Sequence, residues 1–262
     1  VGNVLASWAG QLVFIVAGFV MPRMIDRRLG QDLLGIWDFA WSVVAYFSLV
    51  QVGVVGSVNR YVAKYHTRGD MAGVNEVVSS VSCMLAAMAG SVVLLTIGIS
   101  LALPYILADK LGQNMGVACW VVFLLGISLA VQVGFAGYAG VLTGCHRWGI
   151  HNGIKSGGYA VSVVGMIVLI VSGGGLVAMA IMHTLGEVSV RLVSCFVAHG
   201  ICPGLSVRLS HARWSTARSM LGFGGKAFIP QIAELLLHQT INVLVLGYFG
   251  AAALAIYARP RS

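Results

Sequence analysis

The chain has 262 residues; 58% are apolar and only 9% are Asp, Glu, Lys or Arg. Soluble domains carry about a quarter charged residues, so this composition cannot cover a water-facing surface, and it excludes an ordinary cytosolic enzyme and a disordered chain. The net charge of +8 sits in short loops between apolar runs, where it reports membrane topology and not nucleic-acid binding.

A transmembrane helix needs about 20 mainly apolar residues. The stretches free of Asp, Glu, Lys and Arg predict seven helices, near 1–22, 35–57, 77–107, 115–144, 154–172, 175–200 and 226–250. Spanning segments must satisfy their own backbone groups, and barrel strands instead alternate in polarity over about ten residues. The chain therefore reads as an all-α, polytopic membrane helix bundle. Span 1 carries Gly2, Ala6 and Gly10 four apart, small residues that let helix backbones approach. Asp38 starts span 2 as an end cap or loop charge. Pro104 in span 3 and Pro230 in span 7 mark kinks or helix ends. Span 4 carries two small-residue series, Gly126-Ala130-Gly134 and Ala136-Gly140-Gly144. Ser172-Gly173-Gly174-Gly175 predicts the tight turn that separates span 5 from span 6.

Spans 6 and 7 carry ionisable groups at membrane depth. His183, Glu187 and Arg191 follow one another at four-residue steps, so they share one face of span 6. A charge at mid-membrane costs about 2.5–3.5 kcal/mol on insertion scales. Two readings stand: an ion pair that only joins helices, or a face lining a hydrated cavity where Arg191 meets an anionic ligand. On span 7, Gln231, Glu234, His238 and Asn242 form a polar stripe that should face the bundle interior. A proton relay, interhelical hydrogen bonding and contact with a polar ligand all fit it. Gln132 in span 4 reads as an interhelical hydrogen bond.

The loops after spans 2, 4 and 6 hold nine Lys and Arg residues, Lys155 among them, against six after spans 1, 3, 5 and 7. The positive-inside rule then puts the N-terminus in the cytoplasm. His146 and His151, placed in a short loop beside Cys145, match no usual metal spacing, and the five cysteines read as small buried hydrophobes; no metal or cofactor is assigned. No phosphate-binding Gly-rich loop is present. No long polar loop carries an extramembrane active site, so the reading is not an enzyme. The first residue is not Met and the chain stops just after span 7, which reads as a piece of a longer protein.

Three stretches resemble the polysaccharide flippase family of the MATE-like superfamily of multidrug and lipid-linked oligosaccharide exporters. The first is Leu29-Gly30, Gly35-Ile36-Trp37, the run from Gly53 to Ala63 that contains Asn59-Arg60-Tyr61-Val62, and Arg68-Gly69-Asp70. The second is Gly140-Val141-Leu142-Thr143-Gly144-Cys145-His146-Arg147 with Asn152. The third runs from Leu244 to Gly250, followed by Ala255-Ile256-Tyr257. The resemblance implies two six-helix lobes around a central cavity that opens alternately to each side. Residues 1–200 would form the first lobe, 201–225 a cytoplasmic linker, and 226–262 the first helix of the second lobe. It implies transport of an undecaprenyl-diphosphate-linked oligosaccharide across the cytoplasmic (inner) membrane, as in O-antigen or lipopolysaccharide assembly. The partners are the lipid bilayer, that lipid-linked oligosaccharide and a coupling ion, proton or sodium, and not nucleic acid. The substrate-facing residues are expected to be Arg191, His183 and His238, with Glu187 orienting Arg191 and with Glu234 and Asn242 on span 7. The alternative is a cation-coupled multidrug antiporter of the same superfamily, in which Glu187 or Glu234 titrates.

Overall fold

The computed structural model of the chain describes residues 2–49, 54–224 and 228–258, with the side chains of 2–7, 9, 55, 221–238 and 258 outside the description. Every regular element among the described residues is helical. In chain order they are α1 (Gly2–Leu29), α2 (Gln31–Ser48), α3 (Val54–His66), α4 (Met71–Ile106), α5 (Ala108–Leu111), α6 (Met115–Gly134), α7 (Ala136–Gly144), α8 (Trp148–Val171), α9 (Leu176–Ile201), α10 (Trp214–Gly224), α11 (Phe228–Phe249) and α12 (Ala251–Ala258). All seven predicted spans fall on these helices. Four stretches of the described residues, Met71–Ile106, Ala108–Gly134, Trp148–Val171 and Leu176–Ile201, are each long and apolar enough to cross a membrane.

One predicted span is not a single helix: span 4 is divided at Phe135 into α6 and α7. Both of these helices are apolar, so the uncharged run hid the boundary. In span 2, α2 ends at Ser48 and α3 begins at Val54, and residues 50–53 lie outside the described residues. The turns, in contrast, follow the sequence signals. Gly30 takes a φ of 95° between α1 and α2, and Gly173 takes 90° between α8 and α9, backbone that residues with a Cβ rarely adopt. The Arg68-Gly69-Asp70 stretch is a helix start. Gly69 turns the chain at a φ of 69°, and the Asp70 carboxylate accepts a hydrogen bond from the Gly73 N–H at 2.9 Å.

The helices meet at small residues. A Cβ on Gly140 would sit 2.5 Å from Cγ1 of Val58, and one on Gly144 would sit 2.8 Å from Cβ of Val62. The series on α7 thus receives the valine ridge of α3, one helical turn at a time. Gly126 on α6 packs against Thr96 on α4, and Gly10 on α1 against Ser156 on α8. Between α8 and α9 the pairing is reciprocal, Gly158 against Val190 and Ser162 against Gly186. Helix association in lipid depends on this close van der Waals contact, because lipid tails are as apolar as the side chains. The outward faces bear Phe19, Leu94, Leu101, Val164 and Phe196, all exposed, as lipid-facing surfaces should be.

Residues 201–225, expected as a plain linker, include helix α10, which packs on α3 and α4. Asn75 of α4 donates to the Gly204 carbonyl at 3.0 Å and accepts from the Ser206 N–H at 2.9 Å. Glu76 accepts from the Thr216 hydroxyl at 2.7 Å and pairs with Arg213 at 3.5 Å. The first turns of α4 therefore hold this segment against the bundle.

Candidate functional site

His183, Glu187 and Arg191 of α9 face inward. Ile181, Leu185, Leu192, Val193 and Phe196 are exposed, whereas His183 and Arg191 are buried and Glu187 is half-buried between them. Glu187 and Arg191 form an i,i+4 ion pair of 2.7 Å. Their side chains are 19% and 9% exposed, so the pair is screened mainly by protein and not by solvent. The His183 ring meets Trp41 of α2 edge-on, with centroids 5.1 Å apart. Thr184, the next residue, donates to carbonyls of Ala180 at 2.8 Å and of Leu124 on α6 at 3.1 Å, which seats this turn of α9 against α6.

His183 and Glu187 line a cavity of about 240 Å³ between α1, α2, α6, α8 and α9. Its polar wall also includes Gln132, Ser128, Tyr159 and Lys155. The space has room for several waters, each of which takes about 30 Å³ in the liquid. Phe14 of α1 stacks on Tyr159 with centroids 4.2 Å apart, and the Lys155 ammonium lies 5.3 Å from the centroid of the Phe14 ring. Cation–π contact of this kind holds a charge without neutralising it. Arg191 pairs with Glu187 from outside the cavity lining, and its buried Nε has no hydrogen-bond partner among the described residues. His151 Nδ1 is likewise buried without a partner, and His151 lies within electrostatic range of Lys155 and Arg191. Lys155 and Glu187 bring one charge of each sign to the wall, and Arg191 pairs with Glu187 beside it. The unpartnered donor on Arg191 stands ready for an acceptor, since a buried polar atom left unpaired costs about 1–3 kcal/mol.

His183, Glu187 and Arg191 are brought together as one face. Asn242 is placed elsewhere: it donates to Ser42 Oγ on α2 at 3.1 Å and to Gln239 Oε1 at 3.2 Å, and it does not line this cavity. The side chains of Gln231, Glu234 and His238 lie outside the described residues. Lys155, counted in the sequence as a loop charge, belongs to α8, as does His151. A signal for both was present: His151, Lys155 and Tyr159 follow at four-residue steps, as do His183, Glu187 and Arg191 on the facing helix. A second, larger cavity of about 610 Å³ opens between α2, α4 and α11 and is almost wholly apolar, lined by Phe39, Val43, Phe47, Leu103 and Leu244 among others.

This is the architecture of a multi-pass membrane protein of the MATE-like fold. The chain is similar to an inward-facing multidrug resistance MATE family transporter of the MOP superfamily, with a TM-score of 0.69 and 15% identity. The alignment covers 94% of this chain and 56% of that one, so the chain spans little more than half the transporter's length. A family model described as polysaccharide biosynthesis protein matches residues 152–261. No curated protein matches the chain. The family model covers less than half of the chain, and the structural likeness shows the fold.

Proposed function

We propose that the chain forms the first lobe, and the opening helix of the second, of a transporter that carries an undecaprenyl-diphosphate-linked oligosaccharide from the cytoplasmic to the outer leaflet. The observation that carries this reading is the polar cavity between α1, α2, α6, α8 and α9, lined by Lys155, Gln132 and His183 and flanked by the buried Glu187–Arg191 pair. A diphosphate meeting about 30 Å of hydrocarbon faces a prohibitive barrier. A hydrated chamber with fixed cations lowers it. Lys155 and Arg191 attract the phosphates, Glu187 orients Arg191, and His183 and Gln132 offer hydrogen bonds to sugar or phosphate oxygens. The apolar cleft between α2, α4 and α11 suits a polyprenyl tail, which never has to leave an apolar medium. The polysaccharide biosynthesis match supports the same substrate class.

The test is polysaccharide export in cells whose own transporter is deleted and replaced by the complete protein bearing Lys155→Ala or Arg191→Ala. Export falls when the variants are compared with the wild type at matched amounts of membrane-inserted protein. Normal export by both variants would refute the assignment. A second reading, a cation-coupled multidrug antiporter, is favoured by the Glu187 carboxylate in the cavity wall and by the structural likeness. It predicts drug resistance that Glu187→Gln removes, with polysaccharide export unaffected.

A further inference from the structure

We propose that His66, Cys145 and Cys202 form a zinc site that staples together the ends of α3, α7 and α9. The three residues stand far apart in sequence but close in space. Their ligating atoms all lie within 4.8 Å of one another. His66 lies in the last turn of α3, Cys145 follows the last residue of α7, and Cys202 follows the last residue of α9.

The geometry fits a tetrahedral ion. A Zn–S bond of about 2.3 Å at tetrahedral angles puts two sulfurs about 3.8 Å apart. Cys145 Sγ and Cys202 Sγ are 3.9 Å apart. The seam that brings them together is the one closed by Gly140 and Gly144 on Val58 and Val62, which fixes α3 against α7 just before these ends. The ligand chemistry selects the ion: two sulfurs and an imidazole favour zinc over hard cations such as magnesium or calcium. Zn²⁺ with two thiolates and a neutral imidazole carries no net charge. That suits the two buried cysteines, while the exposed His66 closes the site from the aqueous side. Three protein ligands leave one coordination position for water or an outside ligand.

In the metal-free chain, burial and the neighbouring Cys202 thiol push the Cys145 thiol up to about 12. A bound dication is then the charge that displaces the thiol protons, as zinc does at other thiolate sites. The distribution of basic loop residues assigns this end of the bundle to the cytoplasm, where thiols stay reduced and available to metal. A zinc ion here would couple the ends of spans 2, 4 and 6, the part of the lobe from which the segment toward α10 departs.

The test uses the full chain, purified in detergent under reducing conditions and stripped of metal. Cobalt(II), a spectroscopic stand-in for zinc, is titrated in. One equivalent of cobalt should produce thiolate-to-cobalt charge-transfer absorption, and one equivalent of zinc should abolish it. Cys145→Ser and Cys202→Ser each remove the absorption and weaken zinc binding by about 100-fold or more, and His66→Ala weakens it by about tenfold or more. The triple variant Cys83→Ser, Cys119→Ser, Cys195→Ser keeps it. Should the cysteine variants not fold, alkylation of the wild type read by mass spectrometry decides the matter. Zinc is expected to protect Cys145 and Cys202 selectively. Absence of the cobalt signal with all five thiols reduced, its survival in the Cys145→Ser/Cys202→Ser double variant, or equal alkylation with and without zinc would each overturn the site.

Discussion

Arg191 donates through one terminal nitrogen to Glu187 one turn earlier on α9, at 2.7 Å, while its Nε is buried with no partner among the described residues. The pair is thus closed toward the helix and unfinished toward its surroundings. A purely structural ion pair and a ligand-binding pair respond differently to replacement. Arg191→Ala leaves a carboxylate behind and should cost about 3–5 kcal/mol, as broken buried pairs do. The double replacement Arg191→Met with Glu187→Leu should recover most of that loss. Polysaccharide export is expected to stay absent in the double variant although its melting temperature returns. Recovery of export along with stability, measured at matched expression, would reduce the pair to a structural role.

Lys155 tests the charge in the cavity wall separately, because it lies over the Phe14 ring and pairs with no carboxylate among the described residues. Lys155→Ala should alter stability by less than about 1 kcal/mol. Export should fall by about tenfold or more, the worth of one charge-assisted hydrogen bond to phosphate. Lys155→Arg should retain most of it. An export assay across these two variants checks the expectation, and equal loss in both would point to packing instead of charge.

The glycine seam between α3 and α7 predicts a contrast within one residue type. Gly144→Val places its Cβ 2.8 Å from Val62 and adds further atoms, so it should destabilise by about 1–3 kcal/mol through overpacking. Gly90 on α4 has nothing within 4 Å of an added Cβ, and Gly90→Ala should be neutral or slightly stabilising. Thermal unfolding in detergent separates the two.

Asn75 holds the backbone at Gly204 and Ser206 with one donor and one acceptor. Asn75→Ala removes both bonds at a cost of about 1–2 kcal/mol, at a partly exposed position. The local effect should exceed the global one. Limited proteolysis is expected to cut the 202–213 segment faster while the rest of the lobe resists as before. Unchanged cutting would mean that α10 alone keeps the segment in place.

Much of the architecture was legible in the order of the residues. Bilayer thickness makes long uncharged runs into helices, and the positive-φ glycines Gly30 and Gly173 mark turns because few other residues accept that backbone. The inward face of α9 was legible too, since His183, Glu187 and Arg191 share it by helical spacing and charge avoids lipid. The division at Phe135 was not, because α6 and α7 on its two sides are both apolar and hydropathy has no contrast there. Lys155 was misread for a related reason: as a lone cation near the end of an apolar run, it counts as a loop charge unless the end of the helix is known.

What the sequence determined by itself was membership of the membrane class and the helical faces, because both follow from local composition and the pitch of one helix. Only the tertiary structure decided which faces meet. It set Lys155 of α8 on the same cavity as Glu187 of α9, and it gathered His66, Cys145 and Cys202 from three helix ends. Such meetings depend on how glycine seams fit neighbouring ridges in three dimensions, a relation that no linear spacing records.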